Sequence, residues 1–175
     1  MAFIANGSDL SWGIYWAARY GHADILAALL RSGVNDVNVL YKLNYHVSTP
    51  LYMAAENGHS ECIKLLLAAP GIDVNKAGNY GETPLYRAAE NGKSECVKLL
   101  LAAPGIDVNK ADNWGHTPLS QAAENGKSEW VKLLLVAPGI DVNKADKYGE
   151  TPLNWAAYYR HSECVKLLEA AGAKK

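Results

Sequence analysis

Histidine and cysteine are the side chains from which metal centres and nucleophiles are most often built, and this chain has five of the first and three of the second. Cys62, Cys96 and Cys164 lie 34 and 68 residues apart. Zinc ligands usually come in pairs about two to four residues apart; these cysteines instead mark one place in a period. Side chains on packed helices about 8–10 Å apart cannot bridge when a disulfide needs Cα atoms within about 7 Å. Free thiols in a reducing compartment are expected. His22, His59 and His161 share a second periodic place, which Lys93 and Lys127 take elsewhere. A catalytic or ligating imidazole does not exchange with lysine. His46 and His116 stand apart, with no nucleophile and orienting group beside them in a recognisable pattern. The glycines fall at turns rather than in a phosphate-binding motif. These residues predict no enzyme, no metal and no cofactor.

The elements that carry them repeat. Thr-Pro-Leu occurs at Thr49, Thr83, Thr117 and Thr151, each followed by an Ala-Ala pair, and an earlier copy carries Ala17-Ala18 and Gly21-His22. In the third unit, Thr83 is placed to cap a helix that begins at Pro84, where a missing N–H costs little. Leu85, Ala88 and Ala89 share one face, with Arg87 and Glu90 opposite. Asn91-Gly92 ends that helix. Ser94 is the expected cap of a second helix, whose apolar side is Cys96, Val97, Leu99, Leu100 and Leu101. Pro104-Gly105 stops it. One such unit cannot bury its apolar surface alone, and stacked units can. The prediction is an all-α repeat: a solenoid of helix-turn-helix-loop units of about 34 residues.

The stretch Asn79-Tyr80-Gly81-Glu82-Thr83-Pro84-Leu85 through Gly92, with Val97 to Leu101 and Asp107-Val108-Asn109, resembles the ankyrin repeat. The resemblance covers roughly residues 8–172. It implies an ankyrin-repeat solenoid in one domain over 1–175, with repeats near 8–44 (an N-terminal cap), 45–78, 79–112, 113–146 and 147–175 (a C-terminal cap). It also implies a curved stack whose concave face, built from first helices and loop tips, binds proteins. Gly7-Ser8-Asp9-Leu10, ahead of Ala17-Ala18, resembles the opening of the cap in designed ankyrin-repeat binders, so an engineered binder is one expectation. Glu169 stands where Leu67, Leu101 and Leu135 occur, as a polar terminal face requires.

Residues 79–112 and 113–146 differ only at Tyr80/Trp114, Glu82/His116, Tyr86/Ser120, Arg87/Gln121, Cys96/Trp130 and Ala102/Val136. Most of that variation falls on loop tips and first helices. Five Trp and ten Tyr accompany a single Phe, and Tyr and Trp give large contact area with few rotamers to freeze. Candidate partner-binding residues on first helices are Tyr15, Trp16, Arg19, Tyr20, Tyr52, Met53, Tyr86, Arg87, Gln121, Trp155, Tyr158, Tyr159 and Arg160. A helical wheel gives Trp16 and Trp155 no core to enter. At loop tips the candidates are Tyr80, Glu82, Trp114, His116 and Tyr148; the rings there could instead pack on the next repeat. The segment 39–48 is three residues longer than its counterparts and contributes Tyr41, Tyr45 and His46. It is either a binding finger or an insertion packed on its neighbour. Trp130 replaces a small core residue and is either a contact or a packing element. Arg160 takes the place of a turn glycine, where left-handed geometry strains a side chain by about 1 kcal/mol.

The leading expectation is a non-catalytic module that binds a protein or peptide, monomeric when free. The alternative is an aromatic cage for a methylated lysine or another small cation, with Glu56 and Glu90 near Tyr52 and Tyr86. A net charge of −1 favours neither nucleic acid nor an anionic membrane. No apolar run reaches the roughly 20 residues of a membrane span. Met1 to Ser8 lacks the basic and apolar regions of a secretory signal, so the Asn6-Gly7-Ser8 sequon is expected to be coincidental. A cytoplasmic location, or a recombinant one for an engineered chain, follows.

Overall fold

The structure is a computed structural model that describes residues 10–33, 36–43 and 46–174. Tyr45, the sequon and the Gly7-Ser8-Asp9 part of the cap motif lie outside these residues. Among the described residues the elements run α1 (Leu10–Tyr20), α2 (Ala23–Arg31), β1 (Tyr41–Leu43), β2 (His46–Ser48), α3 (Pro50–Asn57), α4 (Ser60–Leu67), α5 (Pro84–Glu90), α6 (Ser94–Leu101), α7 (Pro118–Glu124), α8 (Ser128–Leu135), α9 (Pro152–Tyr158) and α10 (Ser162–Ala170). The odd-numbered helices stack on one another in chain order, and so do the even-numbered ones. The result is a two-layer, all-α solenoid.

Each first helix from α3 onward starts as its sequence dictates. Thr49, Thr83, Thr117 and Thr151 accept a hydrogen bond from the backbone N–H three residues on, and proline follows each. The alanine pairs of α3, α5 and α7, with Leu51, Leu85 and Leu119, are fully buried between layers, with Ile63, Leu66, Val97, Leu100, Val131 and Leu134 from the second helices. The second helices differ from expectation in one respect. Ser94 is the first helical residue rather than the cap; Lys93 holds the cap position, without a side-chain bond to the helix. His59, Lys127 and His161 do the same in the other units.

Those cap residues are spacers between repeats. A Cβ on Gly21 would lie 2.5 Å from the His59 ring, one on Gly58 2.8 Å from Lys93, and one on Gly126 2.6 Å from His161. The imidazole N–H of His59 donates to the Arg19 carbonyl at 3.0 Å, and that of His161 to the Glu124 carbonyl at 2.9 Å. A cap side chain therefore fills the space that the preceding left-handed glycine leaves open. This explains why lysine and histidine exchange there.

The same rule locates Trp130. Beneath Gly92 the filling group is its indole, 3.6 Å from where a Cβ would sit, and Lys127 is exposed instead. Trp130 is 7% exposed and belongs to the core. It is a packing element that takes over the work of its own repeat's cap residue.

Between repeats, the loops are tied by a recurring asparagine. Asn75 donates to the Gly105 carbonyl and accepts from the Asp107 N–H; Asn109 does the same with Gly139 and Asp141. Asn38 makes the equivalent pair with Gly71 and Asp73. Each satisfies two backbone groups at once.

Within the long 39–48 segment β1 pairs antiparallel with β2, Tyr41 opposite Ser48. Its Tyr41–Ser48 end packs inward. Tyr41 is 5% exposed and lies 5.1 Å from Trp12 and 5.0 Å from Tyr15, ring centre to ring centre.

Candidate functional site

The first-helix face and its loop tips sort the candidate residues into two groups. One group is committed to holding repeats together. Tyr15, Tyr52, Met53 and Tyr86 are buried at 1–5% exposure, so the expectation that these positions line an open face is corrected. The reason is the neighbouring repeat. Tyr86 donates to Gln121 Oε1 at 2.8 Å across the α5–α7 contact. Tyr15 and Met53 join a second core with Tyr41 and Tyr52, against which Trp12, Trp16 and Val39 pack. Trp16 thus does find a core, made by the β1–β2 pair and α3, that a wheel of α1 alone does not contain.

Arg87 is committed as well. It pairs with Glu56 on α3 at 2.6 Å and with Glu90 on its own helix, and its guanidinium lies 5.4 Å over the Tyr52 ring. Burial alone would lower its pKa; the Tyr52 hydroxyl and the carboxylates of Glu90, Glu56 and Glu82 raise it above the usual value. The place where Tyr52, Glu56 and Glu90 were expected to cage an external cation is therefore filled by a cation of the chain. Burial raises the Glu82 carboxyl and the Tyr52 and Tyr86 hydroxyls. Glu82 is 9% exposed and is no surface contact.

Asp112 and Asp146 organise the loop tips. Asp112 Oδ1 accepts the Trp114 and His116 N–H groups, and Asp146 Oδ1 accepts those of Tyr148 and Glu150. His116 bridges the two carboxylates, 3.4 Å from each, and meets Trp155 edge-on. The Trp155 indole N–H donates to Asp146 Oδ2 at 2.9 Å, so Trp155 is half-buried and fixed. Desolvation would raise the Asp146 pKa. The Glu150 N–H, the Trp155 indole, the Tyr148 N–H and His116 together pull it below the usual value.

The second group is open to solvent. Tyr20, Tyr80, Trp114, Tyr148, Tyr158 and Tyr159 are the large exposed aromatic residues among those described. Tyr20, Tyr158 and Tyr159 stand at the ends of α1 and α9; the other three occupy loop tips. His46 and Arg160 are exposed beside them. His46, Tyr80 and Trp114 form a ladder along the tips, with ring centres 6.4 and 5.8 Å apart. Backbone bonds from Asn113 to Tyr80 and from Lys147 to Trp114 hold the tips in register. Arg19 is half-buried and lies 5.8 Å over Trp16 and 5.9 Å over Tyr20. Gln121 is half-buried and engaged with Tyr86. Arg160 has φ 62°, the one positive value outside glycine among the described residues.

Trp12 has no role in the reading of the sequence; it seats Tyr41 and stacks on Tyr15 at 5.8 Å. Its signal is the replacement of the capping threonine by an aromatic residue in the repeat with a longer loop. The cysteines are buried and unpaired. Burial pushes the Cys62 thiol up to about 11 and raises Cys96 and Cys164 too, so none is a ready nucleophile. No group of three or more potential metal ligands occurs among the described residues. No helix among them is long and apolar enough to cross a membrane.

Stacked helix pairs with aspartate-anchored loop tips define a helical repeat solenoid. The profile of the ankyrin repeats (three copies) matches residues 14–112 and 104–175, and the chain belongs to that family. Ankyrin repeats are generally protein-interaction modules and typically not enzymes. A human relative, transient receptor potential cation channel subfamily A member 1, is 33% identical over 63 residues, 36% of this chain. The matched part is 6% of that channel's length.

Proposed function

We propose that the chain is a recognition module that binds a partner protein or peptide along its first-helix and loop-tip face. The observation that carries this reading is the distribution of exposed rings. All six large exposed aromatic residues lie on that face, and the second helices expose none among the described residues. Exposed Tyr and Trp held on a rigid support supply contact area at small entropic cost. The role is recognition without catalysis, by a chain that is monomeric when free. The near-identity of the third and fourth frameworks, against varied tips, is the pattern that selection or engineering for binding leaves.

The contact residues on this reading are Tyr20, His46, Tyr80, Trp114, Tyr148, Tyr158, Tyr159 and Arg160, with Trp155 and Arg19 as fixed support. The test is selection of binding peptides from a displayed library on the intact chain, followed by titration against two variants. Tyr80→Ser combined with Trp114→Ser and Tyr148→Ser should weaken the selected peptides by about 30-fold or more, as loss of hot-spot rings does. Glu61→Ala with Lys132→Ala, on second helices, should leave them unchanged. The reverse pattern would place the interface on the other layer and end the proposal.

A further inference from the structure

The two ends of the first-helix layer carry the same device. Trp16 stacks on Tyr20 with ring centres 5.3 Å apart and planes within 6°. Trp155 stacks on Tyr159 at 6.1 Å and 18°. At the first end a guanidinium of the chain, Arg19, covers the pair. At the last end the residue in Arg19's place is Tyr158, whose ring stands nearly perpendicular to both Trp155 and Tyr159, 6.3 and 5.0 Å away. Among the described residues the cation–π contacts are those of Arg19 and Arg87, so no cation among them lies on this second set of rings.

A groove of about 680 Å³ opens there, lined by Glu150, Leu153, Asn154, Trp155, Ala157, Tyr158 and Tyr159. By repeat position, Asn154 and Tyr158 correspond to Tyr52 and Glu56, the two residues that receive Arg87 from the following repeat. Ala157 corresponds to Ala55, Ala89 and Ala123, which are fully buried, yet it is exposed. Tyr158 is 76% exposed. The groove is thus the place where, inside the stack, a guanidinium lies on a tyrosine face beside a carboxylate. Here it has three rings, and Glu150 supplies the carboxylate. Its walls are fixed in advance: Asp146 holds both the Trp155 indole and the Glu150 backbone.

We propose that this groove binds an arginine side chain of the partner, presented on a basic peptide segment. Both cations that lie on aromatic faces among the described residues are arginines. A planar, weakly hydrated guanidinium suits stacked rings better than a compact ammonium. The proposal rests on the recognition reading above and names the chemistry at one end of that face.

The test follows the indole N–H signals by NMR, with Trp155→Phe identifying the Trp155 resonance. The probe is an acetylated, amidated Gly-Gly-Arg-Gly-Gly peptide; controls replace its arginine by neutral citrulline or by trimethyllysine. The arginine peptide should shift the Trp155 signal saturably, and citrulline should bind about fivefold more weakly or less. Tyr158→Ala should weaken the arginine peptide by a similar factor, and Glu150→Gln by about threefold. Lys132→Ala, on the second-helix layer, should leave it unchanged. The absence of a saturable Trp155 shift, equal binding of citrulline, tighter binding of trimethyllysine, or indifference to Tyr158→Ala would each overturn the assignment. Such a result leaves the loop-tip titration above standing, because Tyr80, Trp114 and Tyr148 are not in the groove.

Discussion

The three middle repeats and the two end repeats close their first helices differently. In the middle, Asn57, Asn91 and Asn125 turn their amides back onto the carbonyls of Met53, Arg87 and Gln121, at 2.9 to 3.0 Å. Polar closure leaves little unsatisfied, and the residues beneath, such as Arg87, are spent on the neighbouring repeat. At the ends, Tyr20 and Tyr159 replace those asparagines and stack on Trp16 and Trp155. A helix end with a neighbour on each side is used for cohesion. One with a neighbour on a single side has a free face, and there the sequence places rings. The contrast teaches that exposure in a solenoid follows a residue's place in the stack as much as its place on its helix.

Core truncation should show this contrast most strongly. Leu100 and Leu168 are both fully buried, but α6 is packed on both sides and α10 on one. Leu100→Ala should cost about 4 kcal/mol and Leu168→Ala about 2 kcal/mol, read from urea unfolding at one ionic strength. Equal costs would break the comparison. Next comes the internal cation. Arg87→Met strands Glu56 and Glu90 and should cost about 2 kcal/mol. Arg19→Met, with no carboxylate partner among the ion pairs of the described residues, should cost less than about 1 kcal/mol. Thermal midpoints of the two variants decide it.

Acid should loosen the last repeat through Asp146. Its folded pKa lies below the usual 3.8, so its contribution is present above that value and is lost as pH falls through the lower folded one. Asp146→Asn should therefore flatten the decline of stability below about pH 4, seen in denaturant midpoints across that range. A smaller effect of opposite sign is expected at the turn after α9. Arg160→Gly relieves the left-handed backbone and should stabilise by about 1 kcal/mol; a loss would show that the Arg160 side chain makes a compensating contact. Smallest of all, Tyr148→Ser should change stability by less than about 0.5 kcal/mol, because its ring is 71% exposed, while weakening partner peptides.

Much of the fold was legible in the chain alone. The 34-residue period, the threonine caps with proline behind them and the recurring Ala-Ala pairs are local signals with one physical meaning each. Glu169 is exposed where Leu67, Leu101 and Leu135 are half-buried. The candidate face was legible in outline only. A helical wheel ranks positions by distance from their own partner helix and carries no information about the next repeat. That is why Tyr52, Met53 and Tyr86 went inward and why Trp16 found a core.

What the sequence determined by itself is the repeat, because caps, turns and apolar periodicity act within about a dozen residues. The tertiary structure decided the rest. It set which side chain fills the hole beneath each left-handed glycine: His59, Lys93 and His161 in three units, and Trp130 in the fourth. It seated Tyr41 of the 39–48 segment on Trp12 and Tyr15. It also assigned Arg87 to the inside and Tyr158 to the outside. Each of these choices depends on the atoms of an adjacent repeat, which approach only once the chain has stacked.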